Sequence, residues 1–168
     1  MSSAQEQDPA ASPALPDWPD RVPIIASLPE GARTRMQSRI ARLELDSGVT
    51  FMHEGEVTAF LAIVVSGQVA LRLRVPERGA ITILTLDAGD IVGWSAIVAP
   101  YRATTSATTL EATELAIFEA AELRDLLATD CEVAAAFLPR VLETVTARVA
   151  ATRDQLLDLF HASGFDPW

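Results

Sequence analysis

The stretch FLAIVVSGQVALRLRV (residues 60–75) consists of two short apolar runs on either side of Ser66-Gly67. Runs of this length, rich in β-branched residues and separated by turn residues, are typical of consecutive β-strands. The pattern continues in both directions without a helical crossover, which argues against a parallel α/β fold and for an all-β sandwich, roll or barrel. The further predicted strands are LEL (43–45), VTFM (49–52), ITILTL (81–86), DIVGW (90–94), ATTSATTL (103–110) and ELAIF (114–118).

Helical patterns flank this β region. Residues 22–41 have apolar side chains at helical spacing, interrupted by Pro29-Glu30-Gly31, which predicts a packing helix pair. After the last strand, residues 120–128 predict a short helix. Asp130 is then placed to cap a long helix over about residues 130–160.

Apolar residues recur along the long helix at spacings of four and three, as in a coiled-coil seam. A second apolar stripe beside the seam contains Phe137, Val141, Leu157 and Phe160. One stripe could face the strands and the other a second copy of the chain, or both could pack on the same domain. Pro139 predicts either a kink or a helix that restarts there. The predicted dimer seam is Leu138, Leu142, Val145, Val149, Thr152, Leu156 and Leu159.

The composition of the 168-residue chain restricts its function. The formal net charge of −10 argues against sequence-independent binding to nucleic acid or anionic membranes. The single cysteine, Cys131, excludes an internal disulfide and is expected to be a small apolar filler in a helix. Residues 1–20 are rich in Ala, Ser, Pro and Asp and predict a disordered arm, residues 21–160 form one domain, and residues 161–168 read as a tail. No targeting signal or membrane-length apolar run is found, so a cytoplasmic protein is expected.

Three motifs in order carry a resemblance to a known family. FMHEGE (51–56), the stretch 60–73 and LDAGDIVGWSAI (86–97) are similar to the strand, turn and glycine-acid elements of cyclic-nucleotide-binding domains. The chain resembles the sensory half of the catabolite-activator (Crp/Fnr) superfamily, in a stand-alone form without the helix-turn-helix domain. The resemblance implies a mainly β fold with flanking helices: a cupin-like β-roll (double-stranded jelly roll) followed by a short helix and a long dimerisation helix.

The resemblance also implies a ligand site in the phosphate-binding cassette of the family. Gly93 matches the cassette glycine, Ser95 follows it, and Arg102 is the candidate for pairing with a cyclic phosphate. Trp94 occupies the position where nucleotide-binding members usually have Glu, and an indole cannot accept a hydrogen bond from a ribose. Ala103 replaces a small hydroxyl residue, although Thr104 follows it.

These departures leave several interpretations of the site open. They fit a changed ligand, such as a ring stacked on the indole of Trp94, a Trp94 that belongs to the core, or a pocket that no longer binds nucleotide. No cofactor is certain, and cAMP, cGMP or another small anionic ligand are the candidates. Thr152 is a weak candidate for contacting a base from the long helix, because counting without gaps points nearer to Arg148.

The function that follows from the resemblance is regulatory, not enzymatic. His53 and His161 lie in different elements and cannot build the metal set of cupin enzymes, and no catalytic residue is assigned. The leading hypothesis is a homodimeric sensory module that passes ligand binding to a protein partner through its long helix. The alternative is a ligand-independent adaptor or scaffold that kept the β-roll. The chain ends eight residues past Phe160, too few for a helix-turn-helix, so no direct DNA binding is expected.

Overall fold

The computed structural model describes residues 21–77 and 79–162, with side chains to residue 153. Strands occupy the centre of the chain and helices its two ends, and the predicted fold class, a β-roll followed by a short and a long helix, is confirmed. The eight strands of the described residues are β1 (Ala41–Leu45), β2 (Thr50–Met52), β3 (Phe60–Ser66), β4 (Val69–Val75), β5 (Gly79–Leu86), β6 (Ile91–Val92), β7 (Ser106–Thr109) and β8 (Thr113–Glu119).

The strands pair antiparallel in two four-stranded sheets, in the orders β1-β8-β3-β6 and β2-β7-β4-β5. The chain passes from the first sheet to the second at Gly67, between β3 and β4. Gly67 has φ of +86°, and a Cβ there would lie 2.6 Å from the carbonyl oxygen of Ala112. Only glycine fits this turn, since an L side chain would be strained and would collide with backbone.

Strand β3 is buried on both faces, which explains why its sequence is continuously apolar and not alternating. Leu61 and Ile63 pack in a core cluster shared with the helices, whereas Ala62 and Val64 pack between the two sheets. The core therefore has two layers that share β3.

In the described part of the chain, four α-helices pack together and share a core cluster with the first sheet. Asp130 lies between the last two, and its Oδ1 accepts hydrogen bonds from the backbone N–H groups of Val133 (3.0 Å) and Glu132 (3.1 Å). The bond from Val133, together with the nearby Arg35 guanidinium, holds the pKa of the Asp130 carboxyl below its ordinary value. The predicted cap is confirmed. The helices are α1 (Pro23–Ala26), α2 (Glu30–Gln37), α3 (Ala120–Thr129) and α4 (Cys131–Ala162).

Helix α4 uses one of its two apolar stripes on its own domain. Phe137 and Val141 are buried in the core, and the ring of Phe137 lies 6.3 Å from that of Phe118 between centroids. Leu138 and Leu142 of the predicted seam are 42% and 66% exposed. Two further seam residues differ from each other. Val145 packs partly against the core, whereas Val149 is exposed like Leu142.

The expectation for Cys131 is wrong, and one of the two alternatives predicted at Pro139 is excluded. Cys131 is exposed and not an apolar filler, because it is the first residue of the helix and precedes the buried stripe. The helix does not restart at Pro139, which lies inside α4. The predicted arm (1–20), residues 163–168 of the tail, and the side chains of Leu156, Leu157, Leu159 and Phe160 lie outside the described residues.

Candidate functional site

A cavity of about 440 Å³ lies between the second sheet, helix α4 and the segment 93–105, which we call the cassette segment. Its sheet wall is apolar and comes from β2 and from the consecutive strands β4 and β5. The cassette segment and α4 close the other sides. The lining residues of the sheet are Met52, Leu71, Ile83 and Leu84, those of the cassette segment are Gly93, Trp94, Ser95, Thr104 and Thr105, and those of α4 are Val145, Arg148, Val149, Thr152 and Arg153.

Gly93 fixes the path of the chain into the cavity wall. Its φ is +72°, and a Cβ at this position would lie 2.8 Å from both the carbonyl oxygen of Phe60 and Cε of Met52. Glycine is therefore required by conformation and by space. The turn that follows is a single 3-10 helix, Trp94–Ala96.

Trp94 lies on the wall of the cavity and also packs against the helix-side core cluster. The Trp94 side chain therefore belongs both to the cavity wall and to the core. An indole here offers a large apolar face and one N–H donor to the cavity.

Hydroxyl groups provide much of the polar surface on the cassette side. The Ser95 hydroxyl is buried and lies 3.2 Å from the hydroxyl of Thr58, an arrangement in which either oxygen can donate. Thr104 and Thr105, at the C-terminal end of the cassette segment, also line the cavity. These groups can orient a polar ligand atom, but they carry no charge.

Helix α4 supplies the cations of the cavity. Arg148 is partly buried, and its Nη2 donates to the carbonyl oxygen of Ile91, two residues before Gly93. Burial lowers the pKa of the Arg148 guanidinium, and the charge of Asp90 opposes that effect. Arg153 also lines the cavity and is exposed. The side chain of Arg148 thus links α4 directly to the strand that leads into the cassette segment.

The structure places Arg102 outside this lining. Its Nη1 donates to the carbonyl oxygen of Gly55 at 2.8 Å, and the residue is exposed. Backbone pairing holds the loop there: Ala103 N–H donates to the Glu56 carbonyl (2.9 Å) and Gly55 N–H to the Ala103 carbonyl (2.8 Å). The side chain of Ala103, which makes both of these backbone bonds, is buried. A contact between Arg102 and a ligand phosphate stays a prediction.

Most of the predicted ligand residues lie together. Gly93, Trp94, Ser95, Thr104 and Thr152 all line the cavity, whereas Arg102 and Ala103 do not. The sequence reasoning missed the sheet wall, because its side chains lie outside the cassette segment and are brought to it by the pairing of β2, β7, β4 and β5 in the second sheet. It also gave Arg148 little weight, although the register count along α4 had pointed to that residue.

The described residues contain neither a cluster suited to a metal ion nor a membrane-spanning helix. No group of three or more His, Cys, Asp or Glu side chains in this part of the chain could hold a metal ion. None of the described helices has the length and apolarity needed to cross a membrane.

Comparisons with known proteins show which family the chain is similar to. Residues 42–130 match the family model of the cyclic nucleotide-binding domain. No curated protein matches the chain. A cyclic nucleotide-binding domain from Methylobacillus flagellatus KT has a TM-score of 0.75 at 20% identity, covering 84% of this chain and 84% of its own.

Two further solved structures share the fold at low identity. A protein described as cyclic nucleotide-binding, from Geobacter metallireducens GS-15, has a TM-score of 0.69 at 21% identity and covers 79% of this chain and 98% of its own. The catabolite activator protein of Thermus thermophilus has a TM-score of 0.64 at 23% identity and covers 83% of this chain and 63% of its own. With the family model spanning more than half of the sequence, this chain belongs to the cyclic nucleotide-binding domain family.

Proposed function

We propose that the protein is a homodimeric regulatory module whose effector binds in the cavity between the cassette segment and α4. The observation that carries the proposal is the composition of the cavity wall. Five of its lining residues belong to α4 and five to the cassette segment, so an occupant touches both. A ligand that favours one position of the helix shifts the population of that position by its difference in affinity.

The binding step can be tested by isothermal titration calorimetry with cAMP, cGMP, cyclic dinucleotides and small organic acids. Thr104→Trp places an indole at the exposed rim of the cavity, and Thr82→Trp makes the same change at an exposed position of β5 outside the lining. We expect at least one compound to bind the wild type and Thr82→Trp but not Thr104→Trp. Binding that is equal in all three proteins, or absent in all three, would contradict the assignment of the cavity.

The dimer is proposed to form through the exposed stripe of α4. Leu142 and Val149 are 66% and 65% exposed, and Leu138 extends the stripe towards the start of the helix at coiled-coil spacing. Three large apolar side chains in one row on a helix are typical of an interface. A second copy of α4 would cover them.

The dimer predicts a mass of twice the 18.0 kDa chain in light scattering. Leu142→Asp and Val149→Asp should each give monomer. The dimer of either variant would bury one unpaired carboxylate from each copy, and the cost of removing these charges from water exceeds the stabilisation from the buried apolar seam. Ala147→Asp is the matched control, since Ala147 is exposed about 140° around α4 from Leu142 at 100° per residue. A wild type that is monomeric, or seam variants that stay dimeric, would refute this part of the proposal.

A second candidate function is a ligand-independent adaptor that uses the β-roll for contacts with a protein partner. Trp94 favours it, since the indole already occupies part of the cavity wall and contacts the core. Native mass spectrometry of the purified protein separates the two functions. A co-purified small molecule supports sensing, and an empty protein that also gives no heat with any compound supports the adaptor. In neither function is direct binding to DNA proposed.

A further inference from the structure

We infer that the effector is a small organic acid with an apolar, ring-sized body, and that Arg148 of α4, not Arg102, pairs with its acid group. The inference rests on the proposed function and specifies the ligand class of the same cavity. Three observations carry it: the apolar wall, the sign of the charges around the cavity, and the position of the two arginines.

The wall facing a ligand is largely hydrocarbon. Met52, Leu71, Ile83 and Leu84 present it from the sheet, and Trp94 adds an aromatic face. Covering an apolar body with this part of the wall is favourable, whereas sugar hydroxyl groups placed against it would lose water and find no hydrogen-bond partner on these side chains. A volume of about 440 Å³ accommodates a ligand of one or two rings.

The charged side chains of the cavity lining favour a ligand with an acid group. Among the described residues that line the cavity, Arg148 and Arg153 are the charged ones, and none is Asp or Glu. A carboxylate acceptor for a ribose hydroxyl is therefore lacking among the described lining residues, and the negative charge that acts on Arg148, that of Asp90, lies outside the lining. The cations favour a negatively charged group on an otherwise apolar molecule.

Arg148 is the better placed of the two candidate partners. It lines the cavity and is partly buried, so its charge is screened less by water than an exposed one. Arg102 is exposed, lies outside the lining and donates to the Gly55 carbonyl. A ligand acid group next to Arg148 would compete with the Ile91 carbonyl for the guanidinium. Ligand binding and the attachment of α4 to β6 would then depend on the same side chain.

The test compares 1-naphthylacetate with 1-naphthylacetamide, which share one apolar body and differ in charge. Calorimetry should show the acid binding the wild type at least about tenfold more tightly than the amide, as a charge-assisted hydrogen bond in a partly buried site would give. That preference should disappear in Arg148→Met and persist in Arg102→Met. Arg140→Met, an exposed arginine of the same helix, is the control for the loss of one positive charge. Arg148→Gln removes the charge but keeps a polar side chain, and it tests the site if Arg148→Met fails to fold.

The outcomes separate this inference from the proposed function. Binding of cAMP or cGMP that is tighter than that of the acid and is lost in Arg102→Met would overturn the inference and leave the proposed function intact. Equal affinity for acid and amide in the wild type, or a preference unchanged in both Arg148 variants, would also overturn it. Failure of nucleotides, acids and amides alike would refute the proposed function itself.

Discussion

Gly93→Ala should destabilise the protein far more than the loss of one glycine usually does. The residue has φ of +72°, and an L residue pays about 1–2 kcal/mol to adopt that left-handed conformation. The added Cβ would also lie 2.8 Å from the Phe60 carbonyl oxygen, which is backbone of the central strand β3 and cannot turn away. Forced overpacking of this kind costs about 1–3 kcal/mol, so we expect a total loss of about 2–5 kcal/mol in the free energy of unfolding.

The matched control is Gly55→Ala. Gly55 has φ of +83°, but a Cβ there meets nothing within 4 Å, so only the conformational cost of about 1–2 kcal/mol applies. Urea unfolding followed by circular dichroism gives both free energies, and binding to the cavity should weaken only in Gly93→Ala. Equal losses for the two variants would refute the reasoning, because they would mean that the close contact with β3 is not made.

Two further predictions concern the attachment of α4. Phe137→Ala removes a fully buried ring that packs against Phe118, and it should lower the free energy of unfolding in urea titrations by about 3–5 kcal/mol. A loss below about 1 kcal/mol, as at an exposed site, would contradict the packing of α4 on the core. Asp130→Ala should lower the melting temperature at pH 7. The difference from wild type should shrink as the pH falls below the ordinary aspartate pKa. The pKa of Asp130 is lowered in the folded state, so its carboxylate stabilises the protein above the ordinary value and loses that effect on protonation. A difference that is constant between pH 7 and pH 3 would mean that the carboxylate does not cap α4.

The strands were predictable because turn residues bound each of them. Gly67 and Gly89 separate apolar runs that became β3, β4, β5 and β6, and both have positive φ in the structure. The cap at Asp130 was equally local, as it depends on backbone N–H groups two and three residues away. Features set by neighbours in sequence were therefore available from the sequence.

The cavity was only half predictable, for a physical reason. Its cassette wall is one continuous segment, but Met52, Leu71 and Ile83 meet there only after β2, β4 and β5 have paired in the second sheet. The sequence predicts Arg102 as the cation because it is the only Lys or Arg between Arg78 and Arg124. The backbone pairing of residues 55–57 with 101–103 instead carries it towards Gly55, and the cavity receives Arg148 from a helix some fifty residues away.

The central claim is that one bound molecule contacts both the cassette segment and α4. Hydrogen–deuterium exchange of the whole chain tests it directly, with and without whichever of 1-naphthylacetate or cAMP binds more tightly in calorimetry. We predict slower exchange in residues 93–105 and in residues 145–153 together, with little change in β1 or α2. Protection confined to one of these two segments, or found only elsewhere, would contradict the claim that the cavity couples the ligand to the helix.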